Sequence, residues 1–179
     1  MGCTPSSPAT ERAGLGDLDA AGSTGADDDP VRIKGLVPRL SVHRQREGRI
    51  ERLRDGDVAR AGDLIQMSYV AAGHRNGVIV SIDGRGTVTL HHPERPDASP
   101  TLVARGEHAL DHAYELDDAR SYERFVLVTA GDEPLSPNVV LDAARRLAQR
   151  GPAARHSALA LPERWQQSSI TLSKQPERP

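Results

Sequence analysis

The chain has 179 residues and a formal net charge of −2, with 27% charged and 3% aromatic residues. Such a length supports one sizeable core rather than two domains, and near-neutral charge leaves no electrostatic footprint for nucleic acid. With one Phe, one Trp and three Tyr, base-stacking and sugar-binding platforms are poorly supplied, and the single Cys3 can close no intramolecular disulfide.

Residues 1–30 are rich in Gly, Ala, Ser, Thr, Pro and Asp and offer Leu15 and Leu18 as their large aliphatic side chains. They predict a disordered leader or tether, because so little apolar surface cannot offset the entropy of ordering. A single β-rich domain is then expected over residues 31–174, with a frayed tail at 175–179. Short strands are predicted at Val31–Lys34, Leu40–His43 and Ile50–Leu53, the last closed by the turn signal Asp55-Gly56-Asp57. In Leu64–Ala72, Ile65, Met67 and Tyr69 alternate with Gln66 and Ser68 and are assigned to the core.

The centre of the pattern is Asn76–His92. Val78, Val80 and Ile82 share one face of the first run, and Val88 and Leu90 share one face of the second. Asp83-Gly84-Arg85-Gly86 lies between them, which predicts a β-hairpin. Pro93 to Pro100 is an excursion. Thr101–Ala104 and Ala113–Leu116 read as weak strands, and Tyr122–Ala130 as a strong one. A helix is expected over Pro137–Gln149, with Ser136 at the N-cap, Pro137 at the first position and Gly151 beyond the end. Trp165–Lys174 is a terminal strand pairing back into the sheet. The sum is a mainly β fold: an antiparallel β-sandwich or open barrel with one packed α-helix near the C-terminus.

Histidines and acids crowd the middle of the chain at His91, His92, His108, Asp111, His112, Glu115, Asp117 and Asp118. Zinc favours three or four N, O or S ligands on a rigid frame. His108 and His112 are four apart, a spacing that shares a face in a helix or a strand. Asp117-Asp118 offers two oxygens toward a calcium site that needs six or more. Solvated loop and edge residues account for these side chains more simply, so a metal-binding protein or metal-dependent hydrolase using segment 108–118 is the alternative reading. No G-x-S-x-G elbow is present, and Gly84-Arg85-Gly86-Thr87 lacks the Lys-Ser/Thr of a phosphate loop. No catalytic residue, metal or cofactor is assigned.

The pattern Leu53-x-x-Gly56, Ala61-Gly62-Asp63-x-Ile65-Gln66, Gly77-Val78, Ser81-Ile82-Asp83-Gly84-x-Gly86-x-Val88-Thr89-Leu90-x-x-Pro93, Ala113-Tyr114-Glu115-Leu116-Asp117-Asp118-Ala119 and Tyr122-Glu123-Arg124-Phe125 resembles a bacterial domain of unknown function. That domain is found beside caspase-like peptidases and Ser/Thr kinases. The resemblance is closer to the ActD-like proteins of myxobacteria, running from Ile33-Lys34-Gly35 to Gln167-x-Ser169-x-x-Leu172-x-Lys174. It implies a β-sandwich-like accessory module without established catalytic residues. The expected function is therefore a non-enzymatic interaction or regulatory module with an unidentified protein partner. Its candidate contact surface is Asp83, Arg85, Tyr114, Glu115, Asp117 and Asp118.

The expected location is the cytoplasm. Gly2-Cys3 followed by a Ser/Pro/Gly tether also matches the mature end of a bacterial lipoprotein. In that alternative Cys3 is the lipid attachment, the location is the envelope, and the lipid is the only contact with a membrane.

Overall fold

The computed structural model describes residues 36–46 and 48–175. The elements in order are β1 (Arg39–Arg46), β2 (Arg49–Leu53), β3 (Val58–Arg60), β4 (Leu64–Val70), β5 (Gly77–Asp83), β6 (Val88–His92), β7 (Glu107–Ala109), β8 (Tyr114–Glu115) and β9 (Ser121–Thr129). The helix α1 (Pro137–Ala148), a 3₁₀ segment (Gly151–Arg155) and β10 (Gln166–Gln175) complete the chain. The strands form two five-stranded sheets. The first runs β2-β1-β4-β7 with β8 also on β4, and the second runs β3-β10-β9-β5-β6. Neither closes into a barrel, so the fold is a β-sandwich, with α1 packed on the outside of the second sheet.

This three-layer arrangement explains why β5 and β9 carry apolar residues on both faces. From β5, Ile79 points between the sheets, while Val78, Val80 and Ile82 pack under the helix. From β9, Phe125 and Leu127 join the inter-sheet core, while Val126 and Val128 join the helix side. The first sheet supplies Leu40, Val42, Leu53, Ile65, Met67 and Tyr69 to the same inter-sheet core. Removing a side chain the size of Phe125, which is fully buried, from water contributes about 2–3 kcal/mol. The helix presents Val140, Leu141, Ala143, Ala144 and Leu147 to the second sheet, with Arg145 and Arg146 in its last turn.

Several elements differ from the sequence-based expectation. Thr101–Ala104 is not a strand. Its one strand-like pairing is the isolated bridge of Thr101 to Asn76, and the Leu102 amide donates to the Arg75 carbonyl. Leu102 instead caps Gly77, where a β-carbon would lie 2.4 Å from the Leu102 Cδ1. The strand in this region is β7, antiparallel to Ser68–Val70, and the predicted strand at 113–116 shrinks to the two residues of β8. Ser136 occupies the N-cap with extended backbone but makes no side-chain capping bond. The predicted strand at Val31–Lys34 and the leader before it lie outside the described residues. Among the described residues no helix is long and apolar enough to cross a membrane.

Candidate functional site

The end of the sandwich where β5 turns into β6 gathers charged residues from four separate segments. Asp83 closes β5 and is only 3% exposed. Its Oδ1 accepts the backbone N–H groups of Arg85 (2.9 Å) and Thr87 (2.7 Å), so the side chain builds the turn rather than a contact surface. The turn is also wedged from the side. A β-carbon on Gly84 would lie 1.8 Å from the Arg120 carbonyl oxygen, which is why glycine is required there.

Arg85 projects from this turn. It donates to Asp118 Oδ1 at 2.7 Å and lies 4.0 Å from Asp117 Oδ2, in a loop that leads from β8 to β9. Asp117 in turn accepts from the Lys174 Nζ of β10 at 2.5 Å. That ammonium also faces Glu123 Oε2 of β9 at 3.6 Å. The strand registers enforce this meeting, because Asp83 opposes Glu123 across β5 and β9, and Lys174 opposes Ser121 across β10 and β9. Arg85, Asp117 and Asp118 are exposed, while Lys174 and Glu123 are buried beneath them.

Burial sets the protonation of this group. It pushes the Glu123 carboxyl up to about 7, only partly opposed by its Ser81 hydrogen bond and the Lys174 charge, with Asp83 and Asp117 adding to the rise. Burial also works against ionised Asp117. There the Lys174 hydrogen bond and the Ala119 N–H prevail and hold the carboxyl below its ordinary value.

A second polar cluster lies on the same inter-sheet face. The pairing of β5 with β6 slips between Ile79 and Val80, so Ile79 opposes His92, Val80 opposes Leu90, and His91 is the extra residue of a β-bulge. Simple alternation would send two adjacent histidines to opposite faces. The bulge instead turns both toward the first sheet, His91 against the Tyr114 ring at 4.8 Å and His92 against the Tyr69 ring at 6.3 Å. His91 Nε2 lies 3.0 Å from Ser81 Oγ, and burial, then the nearby His112, lowers its pKa to about 4. A cavity of about 240 Å³ brings His91, His92, His108 and His112 to one wall, so the sequence-selected histidines do converge. His108 Nε2 is nevertheless spent on the Arg105 carbonyl at 2.6 Å. Among the described residues no group of three His, Cys, Asp or Glu is arranged to hold a metal ion.

The remaining candidates separate. Tyr114 packs edge-on to Phe125 as well as His91, and burial pushes its hydroxyl up to about 12. Glu115 stands opposite Leu64 at the exposed edge of the first sheet. Cys3 lies outside the described residues. Lys174 and Glu123 were not selected from the sequence. The available signal was the adjacent pair Glu123-Arg124 opening an otherwise apolar run. In a strand covered on both faces neither charge reaches water, and Arg124 duly turns the other way, to the carbonyls of Ala154 (2.8 Å) and Ser157 (2.5 Å). Compared with protein-family models, with curated proteins and with solved structures, the chain finds no match in any of the three.

Proposed function

We propose that this domain is a non-enzymatic interaction or regulatory module, using the Arg85, Asp117 and Asp118 surface to bind a protein partner in a bacterial signalling or envelope complex. The observation that carries the reading is the support beneath that surface. Exposed charges on two loops are held from below by the buried Lys174 bonded to Asp117. A charged surface whose geometry is fixed in advance loses less entropy on binding and selects partners by charge. The resemblance to ActD-like proteins and to the accessory domains of peptidases and kinases supports the same reading. In it the module works in the cytoplasm, or at the envelope where Cys3 carries a lipid.

The test is cross-linked capture from native extract by the wild-type chain and by Arg85→Glu, both verified as folded. A partner held by the wild type and lost with Arg85→Glu is the expected result. Capture of nothing reproducible, or an identical set with both proteins, overturns the proposal.

A further inference from the structure

We infer that the cleft between the Gly84-Arg85-Gly86 turn and the corner joining α1 to the 3₁₀ segment binds a small organic anion, a phosphate or carboxylate on a compact apolar body, with Arg155 as its main cation. The turn and the helix end are in direct apposition, since a β-carbon on Gly86 would meet the Ala148 carbonyl oxygen at 3.7 Å. Between them and the start of β9 the surface opens into a cavity of about 350 Å³, within the range of small-molecule sites. Tyr122, Ala148 and Pro152 give it apolar walls, and Arg85 and Arg155 give it charge.

The state of Arg155 points to an anion. Arg155 donates from Nη2 to Ser173 Oγ at 2.7 Å, but its Nε is buried with no hydrogen-bond partner. No ion pair forms on it among the described residues. The Arg155 guanidinium therefore lies partly out of water with no carboxylate bound to it, an arrangement costly to maintain unless an anion completes it. Asp83 accepts the turn amides and Asp55 the Thr171 amide at 2.7 Å, and neither is ion-paired to Arg155. The carbonyl end of α1, which disfavours an anion, is partly closed by the Gln149 and Arg150 amides on the carbonyls of Arg145 and Leu147.

The test titrates the folded chain with inorganic phosphate, phenyl phosphate and benzoate up to about 10 mM, following amide shift changes and thermal stability, which binding to the native state raises. Saturable shifts at Gly84, Gly86, Ser121 and Gly151 are expected, tighter for phenyl phosphate or benzoate than for phosphate alone, and the tighter of those two names the anionic group. Arg155→Gln should weaken binding about tenfold or more, as loss of a charge-assisted contact does. Ala148→Glu, which brings a carboxylate to the cleft without touching Arg155, should do the same and serves where Arg155→Gln does not fold. Absence of saturable shifts, shifts centred on the Arg46–Arg49 hairpin, or affinity unchanged in both variants overturns the assignment. Arg155→Gln leaves Arg85, Asp117 and Asp118 as they are, so failure of that variant and of the titration leaves the interaction reading standing.

Discussion

Lys174 Nζ and Glu123 Oε2 face each other at 3.6 Å between the two sheets, with side chains 2% and 1% exposed. Paired charges in such a place ordinarily call for close hydrogen bonding on every oxygen. Glu123 Oε2 has none. The raised carboxyl resolves the mismatch: below about 7 Glu123 is largely neutral, and Asp117 answers the ammonium alone.

Stability should therefore depend on pH through Glu123 in a known direction. Its folded pKa, about 7, exceeds the ordinary 4.5, so between those values the native state binds more protons than the unfolded chain. The stabilisation is fully present below 4.5 and is lost as pH rises to 7. Glu123→Gln, which keeps the shape without the charge, should match the wild type at acid pH. Above pH 7 it should melt about 5 °C higher. Thermal unfolding across that range checks this; a deficit in the variant that does not change with pH contradicts it.

His91 acts with the opposite sign. Its pKa falls from 6.5 to about 4 on folding, so between those values the unfolded chain binds more protons. Stability from this group is present above 6.5 and lost as pH falls through 4. His91→Gln should be destabilising at neutral pH, where it disturbs the Ser81 contact and the packing against Tyr114. Its deficit should shrink steadily on acidification. Urea unfolding at several pH values between 7.5 and 4.5 reads the difference, and a constant gap would count against the buried neutral imidazole.

The two turn glycines should respond differently to the same substitution. Gly84→Ala places a methyl 1.8 Å from a backbone oxygen of Arg120, which forces backbone to move and should cost about 2–3 kcal/mol. Gly86→Ala meets nothing closer than 3.7 Å but keeps a φ of +85°, for a cost of about 1 kcal/mol. Denaturant unfolding should rank Gly84→Ala as the worse; the reverse order would mean that the turn is not wedged against the β8–β9 loop.

The hairpin, the helix and the inward set Ile65, Met67 and Tyr69 were legible in the sequence because each rests on local periodicity, which needs no knowledge of neighbours. The slip at His91 was not. A bulge leaves the residue types of β6 unchanged and depends on how β5 is paired. The short β7 was obscured, and β8 was read two residues too long, for a related reason: both pair on the edge of β4, and their own residues carry little strand preference. Lys174 reads on its own as a solvated lysine in a polar terminal strand. Its burial follows from a register that places it beside β9 and under Asp117. The exposure of Arg85, Asp117 and Asp118 was recognisable, since charged turn and loop residues seldom have core work to do. Asp83, adjoining them, was not recognisable as the clamp of the turn.

The position of β10 has a consequence for how the chain is made. It lies between β3, with which it pairs in parallel, and β9, with which it pairs antiparallel. Synthesis delivers β3 more than 100 residues before β10, its partner strand among the described residues. Until Gln175 has left the ribosome, β9 carries an open apolar edge and Lys174 has not reached Asp117. The nascent domain must wait with that edge exposed, the condition in which unpaired strands recruit one another. Stalled or shortened chains ending before residue 166 should thus be far more prone to aggregate than to be merely less stable, and a holding chaperone would find its target on β9.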